Sequence, residues 1–532
     1  MGKTMKTFKK LLIISHRYIG IPLSFMFVVW FVSAFFMIYT GGMPRITPDM
    51  QTDGAVALEL EKVLISPAEA AEISGFPPQG AILRTIIDRP VYELTYPGGA
   101  SAYIYADTGE FLPYLDEHQA AQVASSFLDI PLEQFSFVGE LDEVDQWTLT
   151  EGRQLPFMKY TADDGLGTEV YVSPDTGRVV SYTTTSSRAL AWLGTIPHWL
   201  YFSSLRLNQP LWYQIVVWLS YTGCALAFLG LCLGFTQFRK KVRPFSLKRS
   251  IPYHGLMRWH YILGVVFGLF TLTWVFSGLV SMEPWAWTSA RGLAIDEQVY
   301  QQGEMNMAAF PPVNTIAVET FEGQEIKALE FHWIQSQPWL LANYSVPQVA
   351  GTEKRDRLHQ PYNINGQSES RSMLINAITL EQSAGFDPEL LVHQLDASIM
   401  DADATEFEVL DEYDDYYYSR QSQLPLPVLR IKFNDPAESW VYVDPHKSQL
   451  LSLIHKYSRV ERWLYNGLHS LDFAFWYHKR PLWDIGVITL LLGGLAVSLI
   501  GLYIGLRRLK HDVLSLYRRM THTKSPAEAV HV

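Results

Sequence analysis

Four stretches of the chain carry no Asp, Glu, Lys or Arg: Tyr18–Thr40, Leu211–Phe238, Tyr261–Met282 and Ile485–Leu506. As helices rising 1.5 Å per residue, each is long enough to cross a hydrocarbon core of about 30 Å, so the pattern predicts four membrane spans. The first is longer than a signal-peptide core and has no small-residue cleavage site behind it, so it is read as retained. Between the spans the pattern changes. Ser66-Pro67 opens a short helix, an N-cap followed by proline in the first turn. Val91 to Tyr105 is rich in β-branched and aromatic residues and reads as strand, and Asp107-Thr108-Gly109 and Pro174-Asp175-Thr176-Gly177 read as tight turns after strands. The repeating theme is a helix followed by strands closed with a D-T-G turn, twice before the second span. The region after the third span repeats it less clearly, ending in a strand at Ser439–Val443.

Charge gives the spans a direction. Residues 1 to 17, the linker from Arg239 to Arg258 and the tail after Leu506 together hold 18 basic residues against the acids Asp512 and Glu528, a net +16 in a chain whose total is −12. The remainder therefore carries −28. Basic loops stay in the cytoplasm, so both termini and the linker are placed inside, and two long acidic regions face the opposite compartment, which in a Gram-negative bacterium is the periplasm. The chain divides into an inner N-terminus with span one (1–43), an outer region (44–187), an interfacial helix with span two (188–238), a basic linker (239–258), span three (259–284), a second outer region (285–458), an interfacial helix with span four (459–507) and an inner tail (508–532). The 72 aromatic residues exclude a disordered chain. The two cysteines, Cys224 and Cys232, lie in one apolar run and provide neither a disulfide scaffold nor a thiolate metal site. The bilayer is the first expected partner; nucleic acid is not one.

The two halves match. Spans one and three align at an offset of 244, with His16-x3-Gly20 on His260-x3-Gly264, Trp30 on Trp274 and Ser33 on Ser277. The stretch leading into spans two and four aligns at an offset of 271: Tyr171-Val172 on Tyr442-Val443, Arg188 on Arg459, Trp192-Leu193 on Trp463-Leu464, His198 on His469 and Pro210-Leu211-Trp212 on Pro481-Leu482-Trp483. Both halves leave the cytoplasm and return to it, so the repeats are parallel and related by a pseudo-twofold axis along the membrane normal. The expected fold is a four-span α-helical membrane bundle of two parallel pseudo-symmetric repeats, with α+β domains outside the bilayer.

Four of the fifteen histidines stand out. His16 and His260 occupy matched places near the inner ends of spans one and three; His198 and His469 occupy matched places in the segments before spans two and four, on the outer side. Trp192, Trp199, Trp463 and Trp476 would anchor those segments at the interface. A twofold axis brings matched residues face to face, so each pair can ligate one iron between two imidazoles, which suits a b-type haem held without covalent attachment, no C-x-x-C-H motif being present. Two haems would then stack across the membrane. Gly20, Gly264 and Gly268 give the rings room or serve helix packing, and Arg188 and Arg459 pair with propionates or snorkel to headgroups. Asp472 is a candidate to orient His469. His254 and His478 rank below the matched four. His118, His332, His359, His393, His446 and His455 are read as surface or substrate-contact residues. The cluster of Glu412, Tyr413, Asp414, Asp415, Tyr416, Tyr417 and Tyr418 reads as a solvated strand edge and loop, with contact to a cationic chelate as its functional alternative.

His16-Arg17-Tyr18-Ile19-Gly20, Trp259-His260-Tyr261-Ile262-Leu263-Gly264, the Tyr171-Val-Ser-Pro-Asp-Thr-Gly-Arg strand and turn, and the Trp192-Leu-x4-His198 and Trp463-Leu-x4-His469 segments resemble the PepSY-associated transmembrane-helix family over nearly the whole chain. The resemblance implies PepSY-like outer domains and, as in some members, an inner-membrane di-haem ferric-siderophore reductase with two non-covalent haem b groups.

The function expected is electron transfer across the membrane to a periplasmic ferric chelate or siderophore, releasing Fe(II). No Gly-rich dinucleotide fingerprint follows a strand on the inner side, so the donor is a separate reductase or the quinol pool. The alternative is a membrane-anchored regulator or inhibitor of a periplasmic protease without redox activity. A transporter fits less well, because the spans hold neither charged residues nor a broken helix pair.

Overall fold

The computed structural model describes residues 2–40, 42–238, 250–286, 292–347, 368–418 and 424–522. The chain forms two compact units, each discontinuous in sequence. A helical unit comprises Met1–Gly42, Trp192–Ser289 and Val460–Val532; a sheet unit comprises Met43–Ala191 and Ala290–Arg459.

Four helices in the helical unit are long and apolar enough to cross a membrane: Gly2–Thr40, Gln209–Gln237, Gly255–Val280 and Leu482–His522, here spans 1 to 4. Spans 1 and 4 contain the whole of their expected charge-free runs, spans 2 and 3 all but the last one and two residues of theirs, and span 4 continues well past Leu506 as an unbroken helix. Span 1 packs on spans 2 and 4, and span 3 on the same two, which puts spans 1 and 3 at opposite corners. Leu23, Phe27, Phe31, Leu226, Trp483, Val487 and Leu491 fill the centre. Large apolar side chains also point outward, among them Phe25, Trp218, Phe228, Leu269 and Leu492, as expected for helices whose solvent is lipid. Asn208 caps span 2 by accepting from the Leu211 amide, with Pro210 in the first turn. Two short segments precede spans 2 and 4: the helix Thr195–Trp199, and the π-helix Arg462–Gly467 running into Leu468–Ser470. Each ends in a leucine of left-handed backbone conformation, Leu200 (φ 54°) and Leu471 (φ 52°), which turns the chain toward the span that follows.

The sheet unit holds fourteen strands among the described residues: β1 Gly80–Ile86, β2 Arg89–Thr95, β3 Ser101–Tyr105, β4 Phe135–Leu141, β5 Phe157–Ala162, β6 Thr168–Ser173, β7 Arg178–Thr183, β8 Ile326–Ile334, β9 Gln337–Pro347, β10 Ser368–Asn376, β11 Ala404–Leu410, β12 Val428–Phe433, β13 Trp440–Asp444 and β14 Gln449–Ile454. The helix-then-strands theme is present twice in the first region. The helix Pro67–Ser74, fixed by a reciprocal capping box between Ser66 and Glu69, leads into β1–β3, and the helix Glu117–Leu128 leads into β4–β7. Both D-T-G glycines take positive φ, 78° at Gly109 and 59° at Gly177, where a side chain on Cβ is strained. The second region makes the same turn after β10 with Leu380 at φ 58°, and the bridge Ile375↔Gln382 repeats Ile104↔Phe111.

The two regions are not separate modules. β1 pairs antiparallel with β8, Leu83 opposite Leu329, and this joins β1–β3 to β8–β10 in one six-stranded sheet of order β10-β9-β8-β1-β2-β3. Both leucines are fully buried. β4–β7 and β11–β14 form two further four-stranded sheets. Beside the seam, the Glu93 carboxylate lies 3.3 Å from Arg84 and 2.6 Å from Arg178, all three largely buried.

Candidate functional site

The four matched histidines all lie in the helical unit, and the structure brings them together as two pairs. His16 of span 1 faces His260 of span 3 with ring centroids 6.4 Å apart. His198 and His469, from the segments before spans 2 and 4, face each other at 6.2 Å. A metal–imidazole nitrogen bond of about 2 Å, with the ring centroid about 1.1 Å behind that nitrogen, separates two trans imidazoles on one metal by about 6.3 Å centroid to centroid. Both pairs have that spacing. His16 and Ser33, which touches His198, are 17 residues apart on one helix, so the pairs stand about 25 Å apart along the bundle.

In every one of the four rings Nδ1 is occupied. His16 Nδ1 donates to the Leu226 carbonyl and His260 Nδ1 to the Val497 carbonyl, each at 3.2 Å. His198 Nδ1 donates to Ser33 Oγ at 2.9 Å, and the Ser33 hydroxyl in turn donates to the Trp30 carbonyl at 3.0 Å. His469 Nδ1 meets Ser277 Oγ and the Trp274 carbonyl, both at 3.1 Å, while Ser277 donates to Trp274 at 2.9 Å. A carbonyl only accepts, so the proton sits on Nδ1 and the lone pair on Nε2, the state an imidazole ligand needs. Leu226 and Val497 differ by 271, and Ser33 and Ser277 by 244, the offsets that relate the histidines themselves.

Two glycines that sequence reasoning passed over admit the inner rings. A Cβ on Gly230 would sit 2.9 Å from His16 Cε1, and one on Gly501 3.1 Å from His260 Cε1. Of the glycines singled out in the sequence, Gly264, one turn beyond His260, would meet nothing within 4 Å, and Gly20, one turn beyond His16, only Leu226 at 3.4 Å; Gly268 packs on Leu231. Only Gly264 leaves open space on the histidine face, and Gly20 packs on Leu226. The third serves helix packing.

Arg188 and Arg459 lie in the sheet unit, where both are engaged. Arg188 donates to Thr183 Oγ1 at 2.8 Å and the Gly167 carbonyl at 2.9 Å, and faces Glu169 at 3.5 Å. Arg459 donates to the Glu438 carbonyl at 2.8 Å and lies 4.2 Å above Trp440, the residue matched to Glu169. His469 Nδ1 is held by Ser277 and Trp274, while the Asp472 carbonyl accepts from Arg462 at 3.0 Å and its carboxylate lies 3.9 Å from that guanidinium. In the acidic, aromatic cluster Glu412, Tyr413 and Asp415 are exposed, Tyr417 is buried and Asp414 is half-buried. Asp414 accepts from the Tyr416 and Tyr417 amides, from Arg430 at 2.7 Å and from the Tyr442 hydroxyl at 3.1 Å, and Tyr417 stacks on Tyr442 at 5.0 Å. That is an ordered loop with a solvated edge, as the first of the two readings has it. His332 pairs with Glu330 and His455 accepts from the Ser458 amide; His359 lies outside the described residues.

Among the described residues no three or more His, Cys, Asp or Glu side chains cluster closely enough to hold a metal ion. Each pair brings together two imidazoles with no third such side chain beside them among the described residues. The family model described as the PepSY-associated TM region matches residues 13–335. The search of curated proteins gave no match.

Proposed function

From the premise that the chain belongs to the family of the PepSY-associated TM region and is a multi-pass membrane protein, we propose that it is a di-haem oxidoreductase of the bacterial inner membrane. In this reading its termini are cytoplasmic, its repeats are related by a pseudo-twofold axis along the membrane normal, and its sheet unit is periplasmic. His16 and His260 hold the inner haem b; His198 and His469 hold the outer one. Bound there, the two haems supply one-electron transfer from a separate reductase or quinol on the inner side to a ferric chelate on the outer side. One electron converts the chelate's Fe(III) to Fe(II), which hard oxygen chelators hold more weakly, so iron is released.

The observation that carries this reading is the spacing of the two imidazole pairs together with the occupied Nδ1 atoms. The protein's own work is to fix tautomer and ring position with Leu226, Val497, Ser33 and Ser277. It also seals the space between the pairs with Leu23, Phe27, Phe31 and Leu491, all buried, keeping water from the path. Helix packing alone explains one buried histidine. It does not explain two pairs at ligation distance with four protonated Nδ1 atoms.

The test is a reduced-minus-oxidised visible spectrum with haem quantitation on the wild type, His16→Ala and His198→Ala. Two haems per chain are expected, each variant losing one, and the reduced protein should be reoxidised by a ferric hydroxamate chelate. A haem-free wild type, purified after expression with adequate haem, would overturn the proposal in favour of a membrane-anchored regulator.

A further inference from the structure

His198 and His469 occupy matched positions, but their surroundings differ. Tyr465, one turn before His469 and within the π-helix Arg462–Gly467, stacks on the His469 ring at a centroid distance of 5.1 Å and an interplanar angle of 23°. Its counterpart in the first half, 271 residues earlier, is Gly194. The other side of the pocket differs too: a Cβ on Gly278 would lie 3.5 Å from His469 Cε1, and the matched residue in span 1 is Ala34. The outer pair stands with its rings 77° apart, against 44° in the inner pair. π-Bulges are frequent where a helix has been reshaped for a site, and this one places an aromatic face against a ring whose Nδ1 is already tied to Ser277 and Trp274.

We propose that Tyr465 is a positioning residue that holds the His469 imidazole near perpendicular to the His198 ring while the inner pair stays oblique, so that a haem iron held between His198 and His469 would meet crossed imidazoles. The proposal rests on the di-haem reading above. The physical consequence is electronic. An axial imidazole donates π density into the iron d orbital perpendicular to its ring. Rings near one plane load a single orbital, splitting the d pair and giving a rhombic ferric signal. Crossed rings load both orbitals alike, leave them nearly degenerate and give a signal with a much larger maximal g value. Ligand orientation is thus a means by which the protein makes two chemically identical haems inequivalent.

Electron paramagnetic resonance of the oxidised full-length protein in detergent tests this. The wild type should show two low-spin ferric signals, one of large maximal g and one rhombic, with His198→Ala removing the former. Tyr465→Ala should move the large-g signal toward the rhombic one at two haems per chain. Tyr465→Leu, of comparable volume without an aromatic face, should do the same, and Tyr465→Phe should leave it in place. Two rhombic signals in the wild type, or an outer signal unmoved by both Tyr465→Ala and Tyr465→Leu, would overturn the role of Tyr465 while leaving the di-haem reading intact. A protein without ferric low-spin signals or haem would remove both.

Discussion

Ser33 Oγ stands 2.9 Å from Nδ1 of His198, a hydroxyl of span 1 fixing a ring that the chain delivers from 165 residues further on. Because Ser33 also donates to Trp30, its lone pair faces the ring and its proton does not. Removing the hydroxyl leaves Nδ1–H without that acceptor, with the Trp30 carbonyl as its remaining partner. Ser33→Ala should weaken retention of the outer haem by about 10- to 100-fold, the usual cost of losing a partner behind a ligating histidine, and Ser33→Thr should restore most of it. The measurement is haem loss to a scavenging apoprotein, followed at the Soret band. Equal loss rates for wild type and Ser33→Ala would contradict the role given to Ser33.

The inner pair should be sensitive to volume. A methyl at Gly230 would lie 2.9 Å from His16 Cε1, a separation that real side chains avoid, and overpacking of this kind costs about 1–3 kcal/mol. Gly230→Ala and Gly501→Ala should each lower haem content from two toward one per chain, leaving the outer signal unchanged. If both variants keep two haems with unaltered spectra, the glycines do not serve the rings.

Glu93 ties the sheet unit to pH. Burial alone would raise its pKa, but Arg178 and Arg84 outweigh burial and hold the carboxyl below the ordinary glutamate value, about 4.3 in model peptides. A depressed folded pKa stabilises the fold fully above the unfolded value and loses that stabilisation as pH falls through the folded one. Thermal stability should therefore decline on acidification below that ordinary value. Glu93→Gln, which strands two buried guanidinium groups, should cost about 3 kcal/mol at neutral pH, and the gap to wild type should narrow in acid. Melting curves across pH check this, and a gap that widens in acid would contradict it.

The sheet seam should respond as one body. Leu83 and Leu329 are fully buried opposite each other, and truncating such a leucine costs about 2–5 kcal/mol. In Leu83→Ala, amide exchange should accelerate in both β1 and β8 although only β1 is altered. Acceleration confined to residues 80–86 would show that the two ladders open independently.

The spans and the matching of the halves were legible because both signals are dense: charge-free runs of twenty residues and more, and a gapless alignment carrying His198 onto His469. The cap at Ser66 and the D-T-G turns were legible because their chemistry is local. β1–β8 was not, since strand pairing across the chain leaves no trace in either strand's own alternation. Leu380 hid the turn after β10, because nothing marks a leucine as the residue with positive φ. Gly230 and Gly501 read like any small residue in a membrane helix, which admits a ring and a neighbouring helix alike. Arg188 and Arg459 hold matched places in the sequence, but position did not say that they would lie 3.5 Å from Glu169 and Glu438.

The seam between β1 and β8 also orders events during synthesis. When the first half emerges from the ribosome, β2 has a hairpin partner within reach, whereas the other flank of β1 faces water with unclaimed amides until the segment at 326–334 has been made. For that interval the nascent protein carries an adhesive strand, so a chain stalled after its second helix should engage chaperones or a sister copy, and a gene severed in the basic linker would yield two polypeptides obliged to find each other.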